Sequence, residues 1–287
     1  MKKRYPGSRT LKGREALENT VMLLSDFRLF QKSLNATPHG KCCYGWHQKS
    51  VGQAISLPGT GLVWAQATHH PSFQAGELFR RRLSKKDQIA CLRAPKLIKV
   101  YTQNDACQTC WLEAFVKSPA MSETATPQNL AVPTDSWFDR LEKQLDCLSG
   151  AQTSFQSCRQ DFVTRRIHER YGNHFCTKIN HWQTIHGDIH WGNVAQDGTL
   201  FDWEGWGMGP RYLDFAFLYG YTASCPTMCK ILRARFPFLF SEQEGRICLL
   251  FVCSELLRMC ERHGDHPHLK IPLEALARTL LVQMEST

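Results

Sequence analysis

Residues 185–194 read IHGDIHWGNV, and shortly afterwards residues 200–205 read LFDWEG. The polar members differ in what they can do. Asp188 can accept a proton, Asn193 can offer a neutral carbonyl oxygen to a cation, and His186 and His190 can bond in either sense. Asp202 is a second carboxylate set behind two apolar residues, and a carboxylate drawn into a core is costly without a partner. It therefore calls for a cation, or for a capping role at a turn. His186 is read as structural, bonding the backbone of its own loop, and Trp203 and Trp206 as packing residues.

The stretch HWGNVAQDGTLFDWE places Asp197-Gly198 between short apolar runs, a strong hairpin signal. Such a hairpin sets Asn193 and Asp202 across two short strands, with Asp188 in the loop just before them. Two oxygen donors are too few for a closed protein cage. They suit magnesium, which keeps waters and lets phosphates complete its octahedron. Asp188 and Asn193 stand as D-x-x-x-x-N, the catalytic-loop spacing of protein kinases, with Gly187 where those enzymes carry arginine. The chemistry indicated is phosphoryl transfer: Asp188 orients a hydroxyl and takes its proton, and Asn193 and Asp202 hold magnesium. A competing assignment is a metal-dependent hydrolase using His186, Asp188, His190 and Asp202 around one or two metals.

These residues need a scaffold to hold them. The 287 residues, 43% hydrophobic and 21% charged, suffice for a sizeable core of ordinary globular composition. A net charge of +9 suits a nucleotide, a nucleic acid or an anionic membrane. The densest basic run, FRRRLSKK at 79–86, has no interleaved aromatics and reads as a solvated helix face, so no nucleic-acid partner is expected. No stretch approaches the ~20 apolar residues of a membrane span. MKKR is a basic start, but VMLL at 21–24 is too short for a signal core, so a cytoplasmic protein with reduced thiols is expected. The 13 cysteines are scattered. Cys107 and Cys110 form one C-x-x-C with no second to complete a zinc set, and Cys42 and Cys43 are adjacent.

Leu17, Val21, Leu24 and Phe27 recur at helical spacing, which predicts a helix over 15–34. Turn-rich residues 40–68 predict two or three antiparallel strands. A helix is expected over 74–91, then strands at KLIKVY and CWLEAF. KSPAMSETATPQNLAVPTDS reads as the connection between lobes. Beyond Trp137 the pattern is helical, with Leu249, Cys253, Leu256, Leu257 and Cys260 as one stripe over 244–263. The predicted class is α+β, with a small β-rich lobe (1–116) followed by a larger α-helical lobe (117–287).

HGDIHWGN followed by FDWEGWGMGPRYLDFA resembles the aminoglycoside phosphotransferase and choline kinase group of small-molecule kinases. The resemblance implies a protein-kinase-like two-lobe fold, with ATP as donor (GTP as the alternative), Mg2+, and a small-molecule hydroxyl as acceptor. That acceptor would be an antibiotic or a biosynthetic intermediate. It implies Asp188 as base, Asn193 and Asp202 as magnesium ligands, and Asp214 as a brace of the catalytic loop. Members usually hold the acceptor with C-terminal helices, so His190, Glu204, Glu255, Glu261 and Asp265 are its candidate contacts. Members also carry a basic residue on the third strand, paired with a glutamate of the next helix. Here that position falls on Ala65 or Gln66. Glu77 is the candidate glutamate, with Lys49 or one of Arg80 to Arg82 as substitute cation. The departure raises a further reading, a catalytically inactive protein that binds a nucleotide or metabolite.

Overall fold

The computed structural model describes residues 11–103, 107–127 and 130–285; Met1–Arg4, read above as a basic start, and Gln128 and Asn129 of the expected connection lie outside the described residues. The chain separates into two compact units, Met1–Gln88 with Pro95–Lys117, and Ile89–Ala94 with Ser118–Thr287. The architecture is α+β, an antiparallel N-terminal sheet followed by a helical C-terminal part.

The first unit opens with helix α1 (Leu11–Ser33), followed by strands β1 (Thr37–Tyr44), β2 (Ser50–Leu57) and β3 (Gly61–His69). Helix α2 (Phe73–Lys86) and strands β4 (Leu97–Gln103) and β5 (Gln108–Ala114) complete it. The sheet order is β1-β2-β3-β5-β4, antiparallel at every pairing. Side chains alternate across a strand, and β3 uses both faces. Val63, Ala65 and Ala67 are buried with Leu23, Phe27 and Phe30 of α1. Gln66 lies on the other face with its register partner Trp111, against which Phe79 and Leu83 of α2 pack.

Helix α2 begins where Ser72 Oγ accepts the Ala75 amide at 3.2 Å, and it ends at Lys86, short of the expected residue 91. The last residue, Lys86, does not face solvent. Its side chain turns inward, fully buried, to meet Glu113 Oε1 at 2.8 Å and the carbonyl of Pro95. The basic run is thus not wholly a solvated face.

The second unit starts with the strap Ile89–Ala94. Gln144 bonds both the Cys91 carbonyl and the Arg93 amide, and Cys91 forms a disulfide with Cys147 across a Cα separation of 6.2 Å. Reduced thiols are therefore not found at this pair: chain length says nothing of two cysteines that the fold brings within bridging distance. Helices α3 (Asp135–Ser149) and α4 (Gln160–Tyr171) precede strands β6 (Trp182–Ile185) and β7 (Gly207–Pro210), which pair antiparallel. Then come α5 (Leu213–Thr222), α6 (Pro226–Arg235), the short α7 (Phe238–Ser241), α8 (Gln243–His263) and α9 (Lys270–Glu285). The stripe expected on α8 is wider than one face, since residues 247–254 are buried without interruption. No helix among the described residues is long and apolar enough to cross a membrane.

The Lys86–Glu113 pair yields a test. Removing one partner of a buried pair leaves an uncompensated charge and costs about 3–5 kcal/mol. Glu113→Ala should lower the free energy of unfolding by that order in urea denaturation. The double change Lys86→Met with Glu113→Leu should cost less than either single change. Additive losses would show that the two groups do not act as a pair.

Candidate active site

Strand β6 runs directly into the segment that carries Asp188, and the segment's first turn is held from α5. Asp214, in the first turn of α5, is 3% exposed. Its two carboxylate oxygens accept the amides of His186 and Gly187, each at 2.8 Å. Burial raises its pKa to about 6, and the two N–H donors act against that rise. Gly187 adopts φ +86°, and a Cβ there would lie 2.2 Å from Ser157 Oγ, so a larger residue does not fit. The His186 ring is buried, packs edge-on to Trp203 and directs Nε2 to the carbonyl of Phe201 at 2.8 Å. Burial lowers its pKa to about 3, so the ring is neutral.

Asp188 follows. Its side chain is 43% exposed, the rest being covered by protein. The lost hydration raises its pKa to about 6, against a bond from Asn193. The Asn193 amide nitrogen donates to the Asp188 backbone carbonyl at 3.0 Å and to Oδ2 at 3.3 Å. With the nitrogen committed, the amide oxygen is the atom left to face a cation.

The predicted hairpin is present as a turn rather than as two strands. Val194 and Leu200 form a single antiparallel bridge, Gly198 takes φ +86°, and Asp197 Oδ1 accepts the Thr199 amide at 3.0 Å. The Phe201 amide donates to the Asn193 carbonyl at 2.8 Å, which brings Asn193 and Asp202 to adjacent positions on the two legs. Residues 119–125 lie along one of the legs, with Ala120 and Ala195 as an antiparallel bridge. Met121 and Ser122 donate to Val194 and Trp191, Trp191 donates to Ala125, and Gln196 donates to Pro119. The segment read as an inter-lobe connection is in this part a partner of the loop. Asp202 is exposed and holds φ +59°, a left-handed conformation uncommon outside glycine. Such outliers persist where surroundings impose them, commonly at functional sites. Trp203 and Trp206 are buried packing residues.

His190 accepts the Gly192 amide on Nδ1 at 3.1 Å, so a neutral ring carries its proton on Nε2, which lies 3.8 Å from Asp188 Oδ2. Burial lowers the His190 pKa to about 4. From it runs a series of rings: His190 to Tyr221 at 5.2 Å, Tyr221 to His266 at 5.6 Å, His266 to His268 at 6.1 Å. His266 also holds a left-handed backbone, at φ +47°, and Asp265 adjoins it. Sequence reading missed Tyr221, His266 and His268, because α5 and the loop after α8 supply them from far along the chain. Two candidate acceptor carboxylates are engaged elsewhere: Glu255 pairs with Arg166 at 2.9 Å and Arg258 at 2.7 Å, and Glu261 with Arg170. The stripe of α8 turns them to arginines of α4 and of its own helix. Glu204 is exposed in the turn after Asp202.

In the first unit, strand alternation settles a choice the sequence left open. Ala65 points to α1, while Gln66 faces α2 and accepts the Trp64 indole at 3.1 Å. Glu77 is exposed on α2. Arg80, one turn further on, reaches the sheet and donates to Thr109 Oγ1 at 3.2 Å, where His70 also bonds at 2.9 Å. Lys49 is exposed in the β1–β2 turn, its ammonium 4.4 Å from the centre of the Trp46 ring.

No protein-family profile and no curated protein matches the chain. Solved structures do. A thermostable mutant of aminoglycoside phosphotransferase APH(4)-Ia, in its apo form, is similar at 11% identity and TM-score 0.62, over 88% of this chain and 98% of that one. A variant of that enzyme in ternary complex with AMP-PNP and hygromycin B is similar at TM-score 0.59 and 11% identity, over 88% and 98%. Macrolide 2'-phosphotransferase type I is similar at 12% identity and TM-score 0.56, over 88% and 96%. A putative fructosamine-3-kinase from Haemophilus somnus 129PT is similar at 14% identity and TM-score 0.53, over 93% and 99%. At such identities the likeness is one of fold: the chain has the protein-kinase-like fold of small-molecule kinases.

The Asp214 bonds generate a test. An amide offers one acceptor where the carboxylate offers two, so Asp214→Asn leaves one buried N–H at 186 or 187 facing an NH2 group. A buried orphan donor costs about 1–3 kcal/mol. Urea unfolding at pH 8, where Asp214 is ionised, should show a loss of that size. Unchanged stability would mean that the two amides are satisfied in another way.

Proposed function

We propose that this chain is a phosphotransferase that moves the γ-phosphate of ATP to a hydroxyl of a small molecule. The observation that carries this reading is the loop itself. Asp188 and Asn193 are bonded to each other, braced from Asp214, and tied through one backbone bond to the leg bearing Asp202. Kinase-like neighbours act on small molecules, and one was captured with AMP-PNP and hygromycin B. The acceptor oxygen forms a bond to the γ-phosphorus, the bond to the β–γ bridging oxygen breaks, and ADP leaves. The hydroxyl proton passes to the Asp188 carboxylate, which has the exposure to reach it and a pKa close to the working range. The Asn193 amide oxygen and the Asp202 carboxylate are hard oxygen donors that suit magnesium. Bound there, the ion would neutralise phosphate charge. The acceptor would lie against His190, Tyr221 and His266.

A second reading, an inactive nucleotide or metabolite binder, draws on the face of β3 toward α2, where Gln66 stands in place of a cation. We assign the missing positive charge to Arg80, because it reaches the sheet from α2, and place Lys49 second. The hydrolase reading is weaker, since the buried His186 ring spends Nε2 on Phe201 and is not presented as a ligand.

The base gives a pH signature. Asp188 must be ionised to accept a proton, so kcat should rise through about pH 6 and level off above it. Asp188→Asn should lower turnover by roughly 10²–10⁴-fold and abolish that limb, with little change in nucleotide affinity. Near-normal turnover in the variant, or a limb that persists in it, would remove Asp188 from the role.

The cation gives another. A charge-assisted contact to a phosphate is worth about 1.5–3 kcal/mol, so Arg80→Ala should weaken nucleotide binding about 10- to 150-fold by calorimetry. Lys49→Ala, Arg81→Ala and Arg82→Ala form the comparison set. If none of the four matters while the wild type turns over, no substitute cation exists. Nucleotide binding without phosphate transfer to any acceptor would establish the inactive binder instead.

A further inference from the structure

A second cluster of charges lies in the helical unit, at the tip of the turn whose legs carry Asn193 and Asp202. Two recesses, of about 520 and 290 Å3, share Arg93 of the strap and Arg140 of α3 as lining residues. Ser118, Gln196 and Asp197 complete the first, and Lys143 adds a third cation to the second. Helix α3 explains why these cations gather. Of its four acids, Asp139 and Glu142 are both bonded to Arg235. No carboxylate meets Arg140 or Lys143 in an ion pair among the described residues. Arg140 is half-buried along Gly198, and its Nε is buried with no hydrogen-bond partner. Arg93 donates to the Asp197 carbonyl by a long 3.4 Å contact, and its charge helps to hold the Asp197 carboxyl below its usual range. The one acid lining the first recess, Asp197, accepts the Thr199 amide on Oδ1, and its own amide donates to Ser118 Oγ at 3.1 Å.

A buried donor left without a partner costs about 1–3 kcal/mol. Three cations against one acid leave a net positive recess. Guanidinium forks match phosphoryl oxygens two bonds at a time, which favours a phosphoryl group over chloride or a lone carboxylate. We propose that Arg93, Arg140 and Lys143 form a binding site for a small phosphorylated anion, separate from the Asp188 site. Its floor is fixed by the strap's bonds to Gln144 and by the bond from the Leu200 amide to the Arg93 carbonyl at 2.9 Å. The site does not depend on the phosphotransferase reading.

The test uses pyrophosphate as probe and the intact protein. Arginine labelling with phenylglyoxal, read by peptide mass spectrometry, reports each arginine separately and so is not confused by pyrophosphate bound elsewhere. Pyrophosphate should slow labelling of the exposed Arg93, while sodium chloride at equal ionic strength should not. In Lys143→Gln, an exposed change with little risk to folding, the pyrophosphate concentration giving half-protection should rise about tenfold, the loss expected for one charge-assisted contact. Arg140→Gln should raise it at least as far, and Lys143→Gln decides alone if that variant does not fold. Absence of protection, equal protection by chloride, or unaltered half-protection in Lys143→Gln would each overturn the proposal.

Discussion

The grip of Asp214 on two consecutive amides is the constraint from which the site follows. A loop that leaves a strand has backbone donors to satisfy, and at positions 186 and 187 no ladder continues to take them. The carboxylate takes both, and the left-handed Gly187 lets the chain turn there without a side chain in the way. Once that corner is set, Asp188 has one direction to point and Asn193 falls within reach of it. The Phe201 carbonyl then meets the buried His186 ring, so the corner is tied to the second leg. Each bond is local, yet together they hold three oxygen-bearing side chains on one surface without a regular strand beneath them.

Around Asp188 the protein provides dipoles more than charges. His186 and His190 are neutral, Tyr221 is kept protonated by burial, and Arg166, Arg258 and Arg170 are matched to Glu255 and Glu261. A carboxylate among neutral rings keeps a raised pKa, which is what a proton acceptor working near neutrality needs. In the first unit β3 presents an amide, Gln66, on the face toward α2, and Arg80 of that helix reaches Thr109 of the sheet.

What could be read from sequence depended on the distance over which the information is encoded. The D-x-x-x-x-N spacing and the Asp197-Gly198 turn are local, and the loop geometry follows them closely. Strand alternation was also local, but it could not choose between Ala65 and Gln66 until the packing of α1 fixed which face was which. Tyr221 and His266 left no signal, since they meet His190 only through the fold. Composition marked the Ser/Thr/Pro-rich segment as a connection but carries no record of its partners, and here residues 119–125 find theirs in Trp191, Val194 and Gln196. Glu255 and Glu261 looked available on a helical wheel, where the arginines of a neighbouring helix do not appear.

The disulfide between Cys91 and Cys147 spans 56 residues of sequence, and that span holds both β4 and β5. Closing a loop of this length removes conformational entropy from the denatured chain worth about 4 kcal/mol in the loop-closure treatment. The ensemble before folding is therefore not an open chain. The two strands at one side of the sheet begin as a ring anchored at its base to α3, so their antiparallel pairing is sought among a restricted set of conformers. The order in which the bridge and the sheet form then becomes a property of the folding landscape, with the oxidised and reduced chains starting from different places on it.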